Sequence, residues 1–191
     1  MTAYLINLDS RSDRWEQCQD LPFDLVRVSA IANPEGWRGL IDTMHKLFTD
    51  INPTEPILVL EDDCTIVRDI QYFHDAISQL PAKWDMLMLG ANIKQSVKKK
   101  SKNLYTVYGA WTTHAILYHP DFVQHLIPIL PTLTIPIDEY FRTQIHPHGG
   151  SYCVAPMVAY QRPSQSDIEN AYNDYTDLFE DSNRLFKGSY L

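Results

Sequence analysis

The feature that most constrains the fold is a short apolar run that ends in three acidic residues. Residues 57–60 (ILVL) are all aliphatic, and Glu61, Asp62 and Asp63 follow directly. An uninterrupted run of this kind is typical of a central strand of a parallel sheet that is covered on both faces. Ligands of open α/β sheets bind at the carboxyl ends of the strands. The acidic cluster, Glu61 to Asp63, is therefore the first candidate for a ligand site.

Strands and helices alternate in the prediction for the first half of the chain. Strands are predicted over residues 3–8, 24–29, 56–60 and 84–89, with helices near 9–19, 36–50 and 69–80. In the helix at 36–50, Leu40, Met44 and Leu47 recur at three- and four-residue steps, which places them on one buried face. Right-handed connections between such strands predict an α/β fold with a mostly parallel sheet flanked by helices.

The second half of the chain has a less regular pattern. Strands are predicted over residues 113–118 and 152–160, and helices near 121–130, from 138 and near 174–184. Residues 91–103 are polar and contain five lysines: Lys94, Lys98, Lys99, Lys100 and Lys102. This segment is interpreted either as a solvated loop or as a lid or patch that meets an anionic ligand or a membrane surface.

Composition and charge exclude several classes of protein. The 191 residues suffice for one well-filled domain. The net charge of −8 gives no electrostatic footprint for general nucleic-acid binding. The three cysteines, Cys18, Cys64 and Cys153, lack the spacing of a zinc site or a disulfide framework. Because the sequence has neither a signal-peptide pattern nor an apolar run of about 20 residues, we expect a soluble, cytoplasmic protein.

The acidic cluster has a chemistry of its own. Side chains alternate along an extended strand, so Glu61 and Asp63 are predicted on one side and Asp62 on the other. Adjacent carboxylates repel one another where water screens them poorly, and a hard divalent cation removes that repulsion. A metal held there would bind a diphosphate and stabilise it as it leaves. The alternative is a solvated acidic turn that caps the following segment.

Several blocks, in order over residues 4–168, resemble a known family. They are 4–9 (YLINLD) with Arg11 and Arg14, 27–31 (RVSAI), 57–63 (ILVLEDD), 85–90 (DMLMLG), 113–116 (THAI), 136–138 (PID) and 163–168 (PSQSDI). Each block is short, but their order is similar to that of glycosyltransferase family 25, whose members build bacterial lipo-oligosaccharides and galactosylate collagen. Residues 32–36 (ANPEG) depart from the family, which has Asp-Gly shortly after its second strand.

The resemblance implies a GT-A fold and an inverting, metal-dependent transferase. Such an enzyme moves a hexose from a nucleotide-diphosphate sugar, with UDP expected, to a hydroxyl of a glycan or lipo-oligosaccharide, using Mn²⁺ or Mg²⁺. We expect one domain over residues 1–191: 1–90 bind the nucleotide sugar, 104–168 form the acceptor half and 169–191 form a C-terminal tail. A lipo-oligosaccharide acceptor would place the protein at the inner face of the membrane.

The resemblance also suggests roles for individual residues. Asp63 is the expected principal metal ligand, with Glu61 as a further metal-site residue that contacts the ribose or a metal-bound water. Inversion needs a base that deprotonates the acceptor hydroxyl, and Asp138 is the candidate, with Glu139 as its alternate. A structural alternative for Asp138 is to cap the helix that follows.

Donor binding is assigned to side chains around the cluster. Asn7, Arg11 and Arg14 follow or end the first strand, and arginine forms bidentate bonds with phosphate. The alternative for the two arginines is ordinary charge on a helix surface. Gln161 is expected to reach the diphosphate from the C-terminal side. His114 is interpreted as a core or pocket-wall residue.

Two other functions remain as alternatives. One is a catalytically silent module that binds nucleotide sugars or glycans and keeps the fold. The other is a viral-type transferase that glycosylates hydroxylated bases in DNA, in which the lysines at 94–102 would bind phosphates. The acidic net charge makes a DNA acceptor the less favoured of the substrates.

Overall fold

The computed structural model describes residues 1–165 and 171–186. Parts of the sequence block at 163–168 and of the expected tail at 169–191 lie outside the described residues. The strands are β1 (Thr2–Asn7), β2 (Asp24–Ser29), β3 (Ile57–Glu61), β4 (Cys64–Ile66), β5 (Met86–Met88), β6 (Asn92–Ile93), β7 (Val97–Lys99), β8 (Leu104–Val107), β9 (Ala110–Trp111), β10 (Ala115–Tyr118), β11 (Ser151–Val154), β12 (Ala159–Gln161), β13 (Ser164–Gln165) and β14 (Tyr172–Asn173). The helices are α1 (Ser12–Gln17), α2 (Gly36–Ile51), α3 (Gln71–Ser78), α4 (Pro120–Leu126), α5 (Ile137–Tyr140) and α6 (Thr176–Leu185).

One sheet of eight strands organises the domain, in the order β2-β1-β3-β10-β5-β11-β8-β7. Strand β1 pairs in parallel with both β2 and β3. Strand β10 lies antiparallel between β3 and β5, and β8 is antiparallel to β11 and β7, so the other six strands share one direction. The predicted α/β class with a mostly parallel, helix-flanked sheet is confirmed.

Strand β3 is buried on both faces, as its composition predicts. Leu58 and Leu60 pack in the apolar cluster on one side of the sheet. Ile57 and Val59 pack on the other side, together with the buried face of α2. Each fully buried aliphatic side chain contributes about 1.5–3 kcal/mol relative to exposure, so β3 is a rigid support for the acidic residues at its end.

Helix α2 confirms the predicted periodicity and ends in a left-handed turn. Its buried side chains include Met44, Leu47 and Phe48. The helix ends at Ile51 and is capped by Asn52, which has φ 44° and donates its N–H to the carbonyl of Phe48. Asparagine tolerates this conformation better than most residues, and it closes helix C-termini for that reason.

Two predicted segments differ in the structure. The strand expected over 152–160 divides into β11, which lies in the main sheet, and β12, which pairs with β4. The division falls at the cis peptide bond between Ala155 and Pro156, where proline also lacks the N–H that a continuous ladder needs. The segment expected as a loop at 91–103 contains β6 and β7.

Strand β7 is the outer edge of the main sheet and carries Lys98 and Lys99. Lysines on an edge strand oppose pairing with other chains. Strand β7 lies five strand spacings from β3, or about 24 Å at about 4.8 Å each. These lysines are therefore remote from the acidic cluster.

None of the helices within residues 1–165 and 171–186 has both the length and the apolar composition that a bilayer span requires.

Candidate active site

A cleft of about 170 Å³ opens at the carboxyl ends of β1 and β3. The acidic cluster forms one wall of the cleft. The other walls are Ile6, Asn7, Leu8, Arg14, Ala30, Ile31, Ala32, Asn33, Gly36, Gly39 and Leu40. Gly39 allows the loop after β2 to approach α2, because a Cβ at this position would lie 2.4 Å from the carbonyl oxygen of Ile31. The site thus lies where the strand prediction put it.

Asp62 is the buried, fully paired member of the cluster. Its Oδ1 accepts a hydrogen bond from Arg14 Nη1 at 2.7 Å, and its Oδ2 accepts one from Asn7 Nδ2 at 2.8 Å. Asp62 and Arg14 are both buried. Strand β3 ends at Glu61, so Asp62 and Asp63 lie in the turn that follows it and not on an extended strand as predicted. Asp62 faces α1, whereas Glu61 and Asp63 face two other segments. The role of Asp62 is to hold the strand end in place.

Glu61 faces the segment before β10. Its Oε1 accepts a hydrogen bond from Thr113 Oγ1 at 2.6 Å. Burial and the neighbouring charge of Asp63 raise the pKa of Glu61 to about 8. Without a nearby cation, the carboxyl group therefore holds a proton at neutral pH.

Asp63 contacts Gln161 on β12. Its Oδ2 accepts a hydrogen bond from Gln161 Nε2 at 3.2 Å. Two buried oxygens of this pair, Asp63 Oδ1 and Gln161 Oε1, have no hydrogen-bond partner within residues 1–165 and 171–186. Burial and the charge of Asp62 raise the pKa of Asp63 to about 6. Buried polar atoms are almost always paired, so these two oxygens on touching side chains are candidates for contact with a ligand or an ordered water.

The donor set fits a hard divalent cation. Mg²⁺ and Mn²⁺ prefer carboxylate and amide oxygens, and they commonly take only one or two protein carboxylates and complete the shell with water and substrate phosphate. Among residues 1–165 and 171–186, no group of three or more His, Cys, Asp or Glu side chains is arranged around a metal position. A cation held by Asp63, Gln161 and Glu61 would need oxygens from elsewhere to complete its shell.

The chain after β12 packs directly against the acidic cluster. The backbone N–H of Arg162 donates to the carbonyl of Asp63 at 2.6 Å, and Arg162 Nη2 donates to the carbonyl of Asp62 at 2.7 Å. Arg14 Nη2 donates to Ser164 Oγ at 3.0 Å. Arg162 is a site residue that the sequence reasoning missed. Its position beside the block at 163–168 was the available signal.

Asp138 lies in the first turn of α5 and is half-buried. Burial raises its pKa, while hydrogen bonds from the backbone N–H groups of Glu139 and Thr112 oppose the rise. The charge of Asp138 contributes to the raised pKa of Glu61, so the two carboxyl groups lie close enough to interact. The structure therefore brings Asp138 near the cluster despite the long sequence separation.

Glu139 is held differently. Its two carboxylate oxygens accept hydrogen bonds from Arg142 at 2.6 and 2.8 Å, and Oε2 also accepts one from Trp111 Nε1 at 3.0 Å. These bonds lower the pKa of Glu139 to about 2. A carboxylate with so low a pKa is a weak base, so the geometry favours Asp138 of the two candidates.

The residues predicted to bind the donor are only partly at the cleft. Asn7 and Arg14 line it, but the Asn7 amide oxygen accepts hydrogen bonds from Arg27 and its nitrogen donates to Asp62. Arg11 is not among the lining residues and forms an ion pair with Asp13. Donor binding by Asn7, Arg11 and Arg14 stays a prediction.

Two histidines, His114 and His146, are buried and do not line the cleft. His114 is fully buried against Phe179, with ring centroids 5.2 Å apart, and burial lowers its pKa to about 4. His146 is buried and its Nδ1 shares a hydrogen bond with Ser151 Oγ at 2.7 Å. Their burial confirms the interpretation of His114 as a core residue.

Comparison with known proteins identifies the fold. No family model and no curated protein sequence matches the chain. The structure is similar to A197 from STIV, with a TM-score of 0.54, 16% identity and coverage of 84% of both chains. It is also similar to a glycosyltransferase involved in the glycosylation of the major capsid of PBCV-1, with a TM-score of 0.50, 9% identity and coverage of 94% of this chain and 97% of that chain. At such identities the likeness shows the fold alone, which is that of the GT-A-like glycosyltransferases.

Proposed function

We propose that this protein is a metal-dependent, inverting glycosyltransferase. It transfers a hexose from a nucleotide-diphosphate sugar, with UDP as the expected nucleotide, to a hydroxyl of a glycan or lipo-oligosaccharide. The resemblance to glycosyltransferase family 25 suggests this reaction, and the GT-A-like fold is compatible with it. The observation that carries the proposal is the pair of unpartnered buried oxygens on Asp63 and Gln161 at the carboxyl end of β3.

Asp63 and Gln161 would hold the cation, with Glu61 beside them. Asp63 Oδ1 and Gln161 Oε1 are buried acceptors for which a cation would be the missing partner. A bound Mn²⁺ or Mg²⁺ would neutralise the negative charge that develops on the departing diphosphate. Burial is the largest cause of the raised pKa values of Glu61 and Asp63, and neighbouring carboxylates add to it; a bound cation would lower both pKa values.

The cleft beside the cluster suits a nucleoside. Apolar side chains of Ile6, Ile31 and Leu40 form one part of its lining, and Asn33 adds a polar side chain. An apolar cavity with a few polar groups is the usual form of a small-molecule site. A base placed between β1 and the loop at 30–33 would direct its diphosphate toward Asp63.

Asp138 is proposed as the base that accepts the proton of the acceptor hydroxyl. Burial raises its pKa, which increases its strength as a base compared with an exposed aspartate. It interacts with Glu61 across the same space, on the side of the cluster opposite α1. An acceptor that reaches Asp138 would therefore approach the donor sugar from the side of β10 and α5.

The alternatives have less support. A DNA acceptor would require a broad basic surface near the cleft, but Lys98 and Lys99 on β7 lie about 24 Å away. Lys94 lies beside Trp111 and not on β7. A catalytically silent module would need no cation, and the unpaired oxygens of Asp63 and Gln161 support a cation site instead. Hydrolysis of the donor in the presence of Mn²⁺ separates the enzyme from the silent module.

The experiment is a thermal-shift and hydrolysis screen with UDP-, GDP- and CMP-sugars, each with Mn²⁺ and with EDTA. We expect one nucleotide to raise the melting temperature only when Mn²⁺ is present, and the matching sugar nucleotide to be hydrolysed slowly. Asp63→Asn should remove both effects. Glu55→Gln, which changes an exposed carboxylate just before β3, is the matched control and should keep both. Stabilisation that is unchanged by EDTA and by Asp63→Asn would contradict the metal site.

A further inference from the structure

An exposed aromatic ring lies beside the proposed base. Trp111 on β9 has 39% of its surface exposed. Its indole N–H donates to Glu139, which Arg142 holds through two hydrogen bonds. Lys94 Nζ lies 5.0 Å and the Arg142 guanidinium carbon 5.7 Å from the centre of the Trp111 ring. We name these four residues, Trp111, Lys94, Glu139 and Arg142, the Trp111 platform.

The tripeptide at residues 111–113 connects the platform to the carboxyl groups of Asp138 and Glu61. Trp111 contacts Glu139, the backbone N–H of Thr112 donates to Asp138, and the hydroxyl of Thr113 donates to Glu61. The platform is therefore adjacent to the reacting centre on the side of Asp138.

The backbone of this tripeptide is strained. Thr112 has φ 83°, a conformation that β-branched residues rarely adopt. Strain of this kind persists where the surroundings enforce it, and it concentrates at functional sites. In this strained turn, residues 111–113 each donate a hydrogen bond to a different acidic side chain: Glu139, Asp138 and Glu61 in that order.

We propose that the Trp111 platform is the subsite for the sugar ring of the acceptor whose hydroxyl meets Asp138. The inference rests on the proposed function, since it assigns the second substrate of the same reaction. A pyranose ring has a face of C–H groups and a rim of hydroxyls. The part of the indole that Lys94 and Arg142 leave exposed packs against the C–H face, and Lys94, Arg142 and Glu139 supply charged partners for the hydroxyls.

The platform fits one sugar better than a nucleic acid strand. Proteins that bind single strands place several aromatic rings along a positively charged groove. The platform has one exposed ring, and the carboxylate of Glu139 offsets one of its two cations. The bidentate pair of Glu139 and Arg142 also keeps the polar groups in place before the sugar binds, which lowers the entropic cost of binding.

The first test is the indole resonances in ¹⁵N-labelled protein. The chain has four tryptophans, so four indole signals are expected, and Trp111→Phe identifies the one from Trp111. The probes are methyl α- and β-glycosides of glucose, galactose and mannose, titrated to their solubility limits with UDP and Mg²⁺ present. We expect at least one glycoside to shift the Trp111 signal while that of Trp84, in a separate cavity, stays in place.

The outcomes are distinct. A Trp111 signal that no glycoside moves overturns the inference, as does an equal shift of all four signals. A shift caused by single-stranded DNA and by none of the glycosides overturns it too, because it assigns the platform to another acceptor class.

The second test uses kinetics with the glycoside that shifts Trp111. Trp111→Ala should raise the KM for that acceptor about tenfold or more, and Trp111→Tyr should raise it less, because a smaller aromatic face remains. Trp84→Phe, which changes a tryptophan in the separate cavity, is the control and should leave this KM unchanged. An unchanged acceptor KM in Trp111→Ala overturns the subsite. Failure of the proposed function is recognised separately, because the unaltered protein would then show no Mn²⁺-dependent hydrolysis.

Discussion

The end of β3 and the start of α5 both carry acidic side chains, but they hold them in opposite ways. At β3, Glu61 and Asp63 have few hydrogen-bond donors, and burial raises their pKa values to about 8 and about 6. At α5, Glu139 accepts three hydrogen bonds from Arg142 and Trp111, and its pKa falls to about 2. Carboxyl groups with few hydrogen-bond donors are suited to bind a cation or a proton. A carboxylate that already accepts several hydrogen bonds is suited to fix the positions of its neighbours.

The same contrast exists within the acidic cluster. Asp62 accepts hydrogen bonds from Arg14 and Asn7. Asp63 accepts one from the amide of Gln161, and its other oxygen has no partner in the described part of the chain. Adjacent residues of the same type therefore have different tasks. The contrast teaches that pairing, and not acidity or position in the chain, separates the candidate reactive groups from the supporting ones.

The largest expected effect is on activity at Asp63. Asp63→Asn removes the charge of the proposed principal metal ligand and keeps its shape, so transfer should fall about 1000-fold, or about 4 kcal/mol of transition-state stabilisation. The melting temperature without metal should stay the same or rise, because a buried repulsive charge is removed. Steady-state transfer assays and thermal denaturation measure the two effects. Normal turnover in Asp63→Asn would show that Asp63 is not the metal ligand and that its lack of partners gives it no task different from that of Asp62.

The second effect is on stability at Arg14. Arg14→Met leaves Asp62 as a buried carboxylate without its cation, which should lower the free energy of unfolding by about 3 kcal/mol. Urea denaturation measures this. Arg11→Met, which opens the pair with the exposed Asp13, is the control and should change stability little. Equal effects in the two variants would show that Asp62 is not held by its pairing.

The third effect separates Asp138 from Glu139. Asp138→Asn should reduce transfer about 100-fold, since a positioned base contributes about this much, while the affinity for donor stays unchanged. Glu139→Gln should reduce transfer far less. Transfer assays and calorimetric titration with UDP and Mn²⁺ test the pair. A loss of donor affinity in Asp138→Asn would place this residue on the donor side.

The smallest effect concerns pH. In the folded protein Glu61 keeps its proton up to about pH 8, while in the unfolded chain it loses the proton near pH 4.5. The folded state then binds more protons than the unfolded state, so stability without metal should fall as pH rises toward 8. Between pH 6.5 and 8 this fall amounts to up to about 2 kcal/mol.

The window above pH 6.5 is chosen because His114 and His146 act in the opposite direction below it. Their folded pKa values are about 4, so the unfolded chain binds the additional protons between about pH 4 and 6.5. Thermal denaturation with EDTA and with Mg²⁺ measures the effect, and Glu61→Gln should flatten the dependence in EDTA. Mg²⁺ should stabilise the protein more at pH 8 than at pH 6.5. A flat profile in the unaltered protein would show that Glu61 is ionised without a cation.

The local elements of the donor half were predictable from the sequence. The aliphatic run at 57–60 is long enough for a strand and too uniform for a surface element, so both its burial and the position of the acidic cluster followed from composition. The period of Leu40, Met44 and Leu47 specified the buried face of α2 in the same way. In each case the residues that carry the sequence pattern are within a few positions of the structural feature that the pattern predicts. Strand alternation did not apply to Asp62 and Asp63, because β3 ends at Glu61 and both aspartates lie in the turn that follows.

Only the tertiary structure decided which acidic residue is paired and which is left open. Arg14 reaches Asp62 across 48 positions, Thr113 reaches Glu61 across 52 and Gln161 reaches Asp63 across 98. The insertion of β10 between β3 and β5 brings Thr113 to the cluster, and no local pattern encodes that pairing. A strand's composition determines that it is buried, but its neighbour in the sheet depends on the free energy of the whole fold. The sequence thus determined that the carboxylates follow a buried strand, and the tertiary structure decided which side chains each carboxylate contacts.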